Sequence, residues 1–234
     1  MVAKNVRIGQ TVESLVFELI SLDYNIQDAL YRGYANLSAL SRLLKNEIKR
    51  RYGREVSLTA VMSAVKRSRA RIYPFYDAVY SILSKSSVSV RTNVAKLSIS
   101  GVSMGKILSI LREFEENFIH ISESLSAITL IFDELVMSDI KRALQGHKIL
   151  EDKMGLAAIT LHSPREIIST PGCALIIYSA LAKFGINIED TTSCYTSTII
   201  VVEMKDVERA FSALTSLISY ARERTKGSFN RAYY

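Results

Sequence analysis

Apolar residues recur at every third or fourth position from residue 11 to residue 84, a spacing typical of amphipathic helices. In the stretch NLSALSRLLKNEIKRRYG the leucines share one face, Asn36 or Ser38 can cap the helix, and Gly53 stands where a helix stop is expected. Ser57 can cap the helix that follows, SLTAVMSAVKRSR. β-strand signals are few here, so the pattern predicts a helical N-terminal part.

The periodicity changes after Ser84. SVSVRTNVAKLSIS alternates like a strand, MGKILSILREFEENF is helical, HISES and AITLIFDE are typical of strands, and MSDIKRAL is helical. The same β-α-β-β-α order returns in GLAAITLHSPREIIS, GCALIIYSALAKFG, INIEDTTSCY, TSTIIVVEM and KDVERAFSAL. TLIFDELVMSDIKRAL and TIIVVEMKDVERAF align as a weak internal repeat, about 68 residues apart. We therefore expect an α+β protein, with a helical module over residues 1–85 and two copies of one α+β unit over residues 86–150 and 151–234.

The positive charge of the chain is concentrated in the helical module. Residues 1–85 hold 14 Lys or Arg against 7 Asp or Glu, whereas residues 86–234 hold 16 against 16, so the whole formal net charge of +7 lies in the first part. This asymmetry is typical of a chain in which one unit binds a polyanion. A helix, a short turn and a capped helix also give the outline of a helix-turn-helix, with SLTAVMSAVKRSR as the candidate recognition helix.

Basic side chains near the ends of these helices would contact phosphates, and Thr59, Ser63 and Ser68 are short enough to approach base edges. The predicted nucleic-acid-binding residues are Arg42, Lys45, Lys49, Arg50, Arg51, Lys66, Arg67, Arg69 and Arg71. A basic run is also ordinary on a solvated helix face, and the candidate recognition helix lacks Asn and Gln. Both interpretations stay open.

The cysteines and histidines argue against several classes of protein. Cys173 and Cys194 are too few for a disulfide framework, and the three histidines are scattered, so we expect no metal, no cofactor and no enzyme. No uninterrupted apolar stretch reaches the roughly 18 residues of a membrane span, and the start, MVAKNVRIGQ, lacks the apolar core of a signal peptide. We expect a cytoplasmic protein with no membrane partner.

The stretch STPGCALIIYSALAKFGINIED places a Pro-Gly turn before an apolar helix. Pro171 fixes φ and Gly172 has no Cβ, so the first backbone amides of the helix can point outward, where the positive end of the helix dipole favours a small carboxylate. Glu189 and Asp190 begin the next strand, at the other end of the helix, so a ligand that meets both would lie between two copies. Ordinary turn chemistry and a solvated acidic loop explain the same residues.

Residues 168–214 resemble an ACT domain, in particular the regulatory ACT domains of aspartokinase. The matched features are the strand ending in Thr-Pro-Gly, the passage SALAKFGINIED, a Thr/Ser-rich strand start and the stretch VVEMKDVERA before the last helix. The resemblance implies ferredoxin-like β-α-β-β-α-β units. Residues 86–148 would be a degenerate first copy, because SGVSMGK replaces the Pro-Gly signature.

The resemblance also implies a ligand, because ACT units pair and bind an amino acid at their interface. Backbone groups at the turn would receive the ligand's carboxylate or side chain, while the carbonyl of Asn187 and the charge of Glu189 would meet its ammonium group. The residues that the resemblance assigns to the ligand are Thr170, Gly172, Cys173, Ala174, Asn187 and Glu189.

The chain departs from the aspartokinase pattern in two places. No last strand is evident after Leu217, and Cys194 and Tyr195 stand where aspartokinases usually have Ser and Glu. Cys173 at a helix start is also a candidate for a lowered thiol pKa and a redox role, against the alternative of a small buried hydrophobe.

The N-terminal stretch from residue 36 to residue 67 resembles the helical module of prokaryotic, mainly archaeal, proteins that carry ACT-like domains. Taken together, we expect a winged-helix or helix-turn-helix-like module followed by two ACT units. The expected protein is a homodimer or higher homo-oligomer, a transcriptional regulator that binds duplex DNA under the control of an amino acid. The alternative is a regulatory subunit of an amino-acid biosynthetic enzyme, which does not bind DNA.

Overall fold

The computed structural model describes residues 10–69, 71, 76–114 and 117–226. The chain divides after Pro74 into two compact units. The described part of the first unit contains four helices: α1 (Val12–Ser21), α2 (Tyr24–Arg32), α3 (Leu37–Tyr52) and α4 (Leu58–Arg69).

The helical unit is bounded by the caps that the sequence predicts. Asn36, rather than Ser38, accepts from the amide of Ala39 at the start of α3, and Gly53 ends that helix in the left-handed region with φ of 64°. Ser57 Oγ accepts from the amide of Ala60 at 3.2 Å and caps α4. The apolar stripes meet in one core, whose fully buried members include Leu15, Val16, Leu30, Leu44, Ile48, Val61 and Val65.

The second unit begins earlier than residue 86. Helix α5 (Tyr76–Ser84), which the sequence analysis places in the helical module, packs on the last helix, α9 (Val207–Thr225). The rings of Tyr80 and Tyr220 meet edge to face with centroids 5.3 Å apart, and the Arg224 guanidinium lies over the Tyr80 ring. Since α5 buries its apolar face within the sheet unit, the units divide after Pro74 and not after residue 85. Pro74 itself lies outside the described residues.

The rest of the second unit alternates strands and helices in the predicted order. The elements are β1 (Ser87–Ser100), α6 (Met104–Leu111), β2 (Ile119–Glu123), β3 (Ile128–Asp133), α7 (Met137–Ala143), β4 (Lys148–His162), α8 (Cys173–Ala182), β5 (Asp190–Cys194), β6 (Ser197–Glu203) and α9. The sequence places the start of β4 at Gly155, but the strand begins at Lys148; α9 likewise extends beyond the predicted Leu214.

The six strands form one antiparallel sheet in the order β2-β3-β1-β4-β6-β5. Two β-α-β-β-α segments therefore share a central ribbon, in which β1 pairs with β4 from Ser87↔His162 to Ser100↔Lys148. In the first segment β4 pairs with β1 and acts as its fourth strand. In the second segment β1 pairs with β4 and acts as the fourth strand there. This exchange explains why no fourth strand follows Leu217, where α9 continues to Thr225.

The two faces of the sheet differ. Helices α6 and α7 cover the face that carries Ala95, Leu97 and Phe132. On the opposite face a second buried cluster, to which no helix of the described residues contributes, comprises Val94, Ile131, Leu156, Ala158, Ile199 and Val201. Lys96 lies two residues beyond Val94 on its strand and therefore on this helix-free face.

Candidate functional site

The start of α8 has no side-chain cap. A 3-10 turn (Arg165–Ile168) leads into it, and Thr170 Oγ1 donates to the carbonyl of Glu166 at 2.8 Å. Gly172 occupies the N-cap position with φ of 92°, and no side chain of the described residues accepts from the first amides of the helix. The first N–H groups of a helix have no partner within the helix, so the amides of Cys173 and Ala174 lack both a helical and a side-chain acceptor among the described residues.

Cys173 is a packing residue. Its side chain is 4% exposed, and burial raises the pKa of its thiol. The lowered thiol pKa expected as one alternative for Cys173 is therefore wrong, because burial disfavours the charged thiolate. Cys194 is exposed at the end of β5. At the site, Cys173 can offer its backbone amide and not a thiolate.

Asn187 and Glu189 lie together before β5. Asn187 Nδ2 donates to Glu189 Oε1 at 2.8 Å, and the Glu189 amide donates to the Val201 carbonyl at 2.8 Å, which fixes this backbone to β6. Lys153 Nζ lies 2.9 Å from Glu189 Oε2, and the side chain of Glu189 is only 11% exposed. The ion pair with Lys153 holds the pKa of the Glu189 carboxyl below its usual range.

Two lysines of the central strands extend this charge cluster. Lys153 Nζ also lies 2.8 Å from Glu203 Oε1, and the two hydrogen bonds raise the lysine pKa. Lys96, 12% exposed, donates to the carbonyl of Glu189 at 3.1 Å and pairs with Glu151 at 3.0 Å. Neither lysine was predicted as a site residue from the sequence. A signal was present only for Lys96, which lies between the apolar residues Ala95 and Leu97, whereas Lys153 follows the acidic pair Glu151 and Asp152.

Within one chain the two halves of the predicted ligand site lie apart. Thr170, Gly172, Cys173 and Ala174 stand at the start of α8, whereas Asn187 and Glu189 follow its end. A ten-residue helix is about 15 Å long. A small amino acid cannot bridge that length, so a single chain does not bring the two groups onto one ligand.

A shallow cavity of about 280 Å³ lies elsewhere on the second unit, between the end of α8 and α9. It is lined by Phe184, Glu208, Arg209, Ser212, Ala213 and Ser216, none of which is a predicted site residue. Among the described residues there is no group of His, Cys, Asp or Glu side chains able to hold a metal ion, and no helix long and apolar enough to span a membrane.

The basic residues of the helical unit are partly neutralised within that unit. Arg50 and Arg51 pair with Glu47, which brings the pKa of that carboxyl down to about 2, and Lys49 pairs with Glu55. Arg67 and Arg71 both reach Glu13, each at 2.9 Å. The predicted phosphate contacts without an ion pair in the described part of the chain are Arg42, Lys45, Lys66 and Arg69.

The candidate recognition helix presents only part of its predicted surface. Thr59 and Ser63 are exposed on α4. Ser68 is 1% exposed and donates to the carbonyl of Ala64, so its prediction as a residue that approaches bases is wrong. Its place on the buried stripe with Val61, Ala64 and Val65 follows from helical spacing.

Comparisons with known proteins identify a family model that matches part of the chain. Residues 153–216, from β4 into α9, match the family model described as ACT domain. No curated protein matches the chain.

Several solved structures are similar to part of the chain. One is an aspartate kinase from Clostridium acetobutylicum, at 17% identity and a TM-score of 0.48, with 56% of this chain and 34% of that one covered. The regulatory subunit of aspartate kinase from Thermus thermophilus, in a ligand-free form, is 16% identical with a TM-score of 0.48, over 56% of this chain and 95% of that one. A Vibrio cholerae protein of unknown function, described as a possible transport protein, is 16% identical with a TM-score of 0.45, over 62% and 99%.

The match to this chain spans about a third of the Clostridium enzyme. The family match, in contrast, begins at Lys153 and runs through the Pro-Gly turn, the Asn187–Glu189 pair and the first half of α9. Residues 153–216 of this chain are therefore similar to an ACT domain.

Proposed function

We propose that this chain is a non-catalytic regulatory protein that senses a free amino acid. The observation that carries the proposal is an ACT domain whose helix α8 begins at Gly172 with no side chain capping its first amides. Those amides would hold the ligand's carboxylate, supported by the positive end of the helix dipole. Glu189 would hold the ammonium group, helped by the carbonyl of Asn187.

The site would be completed by a second copy of the chain. Helix α8 has no charged residue, and Ala174 and Leu175 are exposed, the latter by 38%. Antiparallel packing of α8 on α8 of another copy would cover this apolar face and bring the start of one helix beside the end of the other. Thr170 to Ala174 of one copy would then meet Asn187 and Glu189 of its partner.

The first β-α-β-β-α segment would be a second, degenerate ACT unit with a structural role. Ser103 Oγ accepts from the amide of Lys106 at 3.4 Å, so the start of α6 is capped where α8 is not. The Lys106 ammonium lies 2.9 Å from His147 Nε2, and His147 Nδ1 lies 3.1 Å from the Gly101 carbonyl. These side chains lie at the start of α6, where a full ACT unit would have its Pro-Gly turn.

A thermal-shift panel of the twenty amino acids on the whole protein tests the sensing function. A ligand at 100 times its dissociation constant stabilises the folded state by about 2.7 kcal/mol, so the unfolding midpoint should rise clearly for one amino acid or a small chemical group of them. Glu189→Ala should remove the shift. The proposal fails if no amino acid raises the midpoint at millimolar concentration.

We further propose that the output is DNA binding by the helical unit, in which α3 and α4 would act as a helix-turn-helix. The support is the exposed positions of α4, Thr59 and Ser63, together with Arg42, Lys45, Lys66 and Arg69, four cations for which the described residues provide no ion pair. Amino-acid binding would change how the two helical units of a dimer are positioned for DNA. The size of this change is limited by how much more tightly the ligand binds one arrangement of the dimer than the other.

A regulatory subunit of a biosynthetic enzyme is the second candidate. It is favoured by the intramolecular ion pairs, which already neutralise five of the nine predicted phosphate contacts. Salt dependence separates the two. Binding of duplex DNA that weakens steeply with salt supports the regulator, and no binding near physiological salt supports the subunit.

A further inference from the structure

The carboxylate of Glu189 already holds an ammonium group. Lys153 Nζ lies 2.9 Å from Oε2, and Asn187 Nδ2 donates to Oε1 at 2.8 Å. Both oxygens are therefore engaged in the unliganded protein, on a side chain that is 11% exposed. A ligand's ammonium group arriving at Glu189 meets a position that is filled.

Of the cations around Glu189, Lys153 has the side chain that is free to yield. The backbone of Glu189 donates to the Val201 carbonyl at 2.8 Å and accepts from Lys96 Nζ at 3.1 Å, which fixes it to the sheet. Lys153 is 32% exposed, and it has a second carboxylate at hand, with Glu203 Oε1 2.8 Å from Nζ. Losing Glu189 would therefore leave neither a buried nor an unpaired cation.

The same contact has a purpose in the unliganded state. A carboxylate that is nine-tenths buried is costly unless it is paired. Lys153 supplies that pairing from β4, and the ACT domain thereby keeps Glu189 ionised and positioned before the ligand binds. Its raised pKa keeps Lys153 cationic through the physiological range.

We infer that Lys153 is a built-in competitor for the ligand's ammonium group: binding moves its Nζ off Glu189 and leaves it on Glu203. The inference rests on the proposed amino-acid site and adds a residue that sets its affinity. Competition of this kind affects only ligands that carry a positively charged group. A carboxylic acid without the amino group gains nothing when Lys153 is removed.

Calorimetric titration of the full chain tests the inference. The probes are the amino acid that most stabilises the wild-type protein, or each of the twenty if none does, and the corresponding carboxylic acid without the amino group. Lys153→Met should bind the amino acid about three- to tenfold more tightly, since the charged hydrogen bond from Lys153 to Glu189 no longer has to be broken. Lys153→Gln should also bind it more tightly than the wild-type protein. The affinity of the deaminated acid should stay unchanged.

Lys141→Met is the matched control. Lys141 pairs with Asp152, the residue before Lys153 on β4, and its side chain is 38% exposed, so the substitution removes a similar ion pair outside the site. It should leave the affinity unchanged. Unfolding midpoints without ligand verify that each variant is folded.

The outcomes separate the inference from the proposed function. Equal or weaker binding by both Lys153 variants, in a protein whose binding is lost with Glu189→Ala, overturns the inference and leaves the sensor intact. Binding that is seen only in the Lys153 variants supports the competitor strongly. No binding in any variant removes the sensor and the competitor together.

Discussion

Gly172 is the residue on which the start of α8 depends. Its φ of 92° lies in the left-handed region, where a side chain is strained, and its position at the N-cap leaves the following amides uncovered. The glycine therefore has a conformational reason, and it also suits the proposed anion site. Pro171 before it restricts the approach of the chain to the helix.

Gly172→Ala should destabilise the protein by about 1 kcal/mol and weaken amino-acid binding, because the turn must either carry strain or shift the amides. Gly105→Ala is the control. Gly105 lies in the first turn of α6 with nothing within 4 Å of an added Cβ, so alanine there should stabilise by about 0.5 kcal/mol. Urea denaturation measures both, and equal effects of the two substitutions would contradict the role of Gly172.

The Lys153 cluster has a predictable pH dependence. Lys153 is the leading cause of the lowered pKa of Glu189 and of the pKa of about 2 at Glu203. Both pKa values lie below the unfolded value of about 4.3, so the two carboxylates stabilise the folded state above that pH. The contribution is lost as pH falls from about 4.3 through the folded pKa values.

Lys153→Met should therefore flatten the acid side of the stability profile. Between about pH 5 and pH 3 the urea midpoint of the wild-type protein should fall further than that of the variant. Carboxylates elsewhere in the chain affect both proteins equally and cancel in the difference. Parallel declines would mean that Lys153 does not set these pKa values.

At the level of elements, the sequence predicted the helices and strands whose chemistry is local. Asn36, Gly53 and Ser57 act as caps or stops because short polar side chains and glycine have those roles in any context. The first part of β4 escaped prediction since register shifts beside Ile99 and Val94 interrupt its alternation. The packing of α5 on the second unit was not predicted either, because an amphipathic stripe does not identify the surface that covers it.

The same distinction applies to the candidate site. The Pro-Gly turn and its amides could be predicted from the sequence, since proline restricts φ and glycine permits a left-handed conformation. The partner of Glu189 was not, because Lys153 reaches it from a strand 36 positions earlier in the chain. Contacts between distant strands depend on sheet order, which periodicity does not reveal.

The contact between α5 and α9 predicts where the second unit can be cut. A fragment of residues 75–234 should unfold cooperatively, whereas residues 86–234 should be less stable or insoluble, because loss of α5 exposes Tyr220 and removes the Asp77 partner of Arg224. Thermal denaturation followed by circular dichroism compares them. Equal midpoints would place α5 outside the folded unit.

The ion pairs of α3 predict a gain in DNA binding if the helical unit is a DNA-binding module. Glu47→Gln frees Arg50 and Arg51, so the slope of log affinity for duplex DNA against log salt should steepen by about 1 to 2. Glu208→Gln, an equal charge change at an exposed position of α9, should leave the slope unchanged. Identical slopes in all three proteins would contradict a role for these arginines.

At the scale of the whole molecule, the sheet unit is organised around the shared ribbon of β1 and β4. Each β-α-β-β-α segment takes its fourth strand from that ribbon, so the two segments form one continuous sheet. Lys96 on β1 and Lys153 on β4 both contact Glu189, which connects the proposed ligand site to the strands that the segments share. A ligand that changes these contacts acts on both segments.

The most direct test of the central claim is to follow the backbone amides of the isotope-labelled protein by NMR while the stabilising amino acid is added. The account predicts saturable shifts of the Gly172, Cys173 and Ala174 amides together with the Asn187 side chain, and no such shifts in Glu189→Ala. Saturable binding that leaves the start of α8 unperturbed would contradict it.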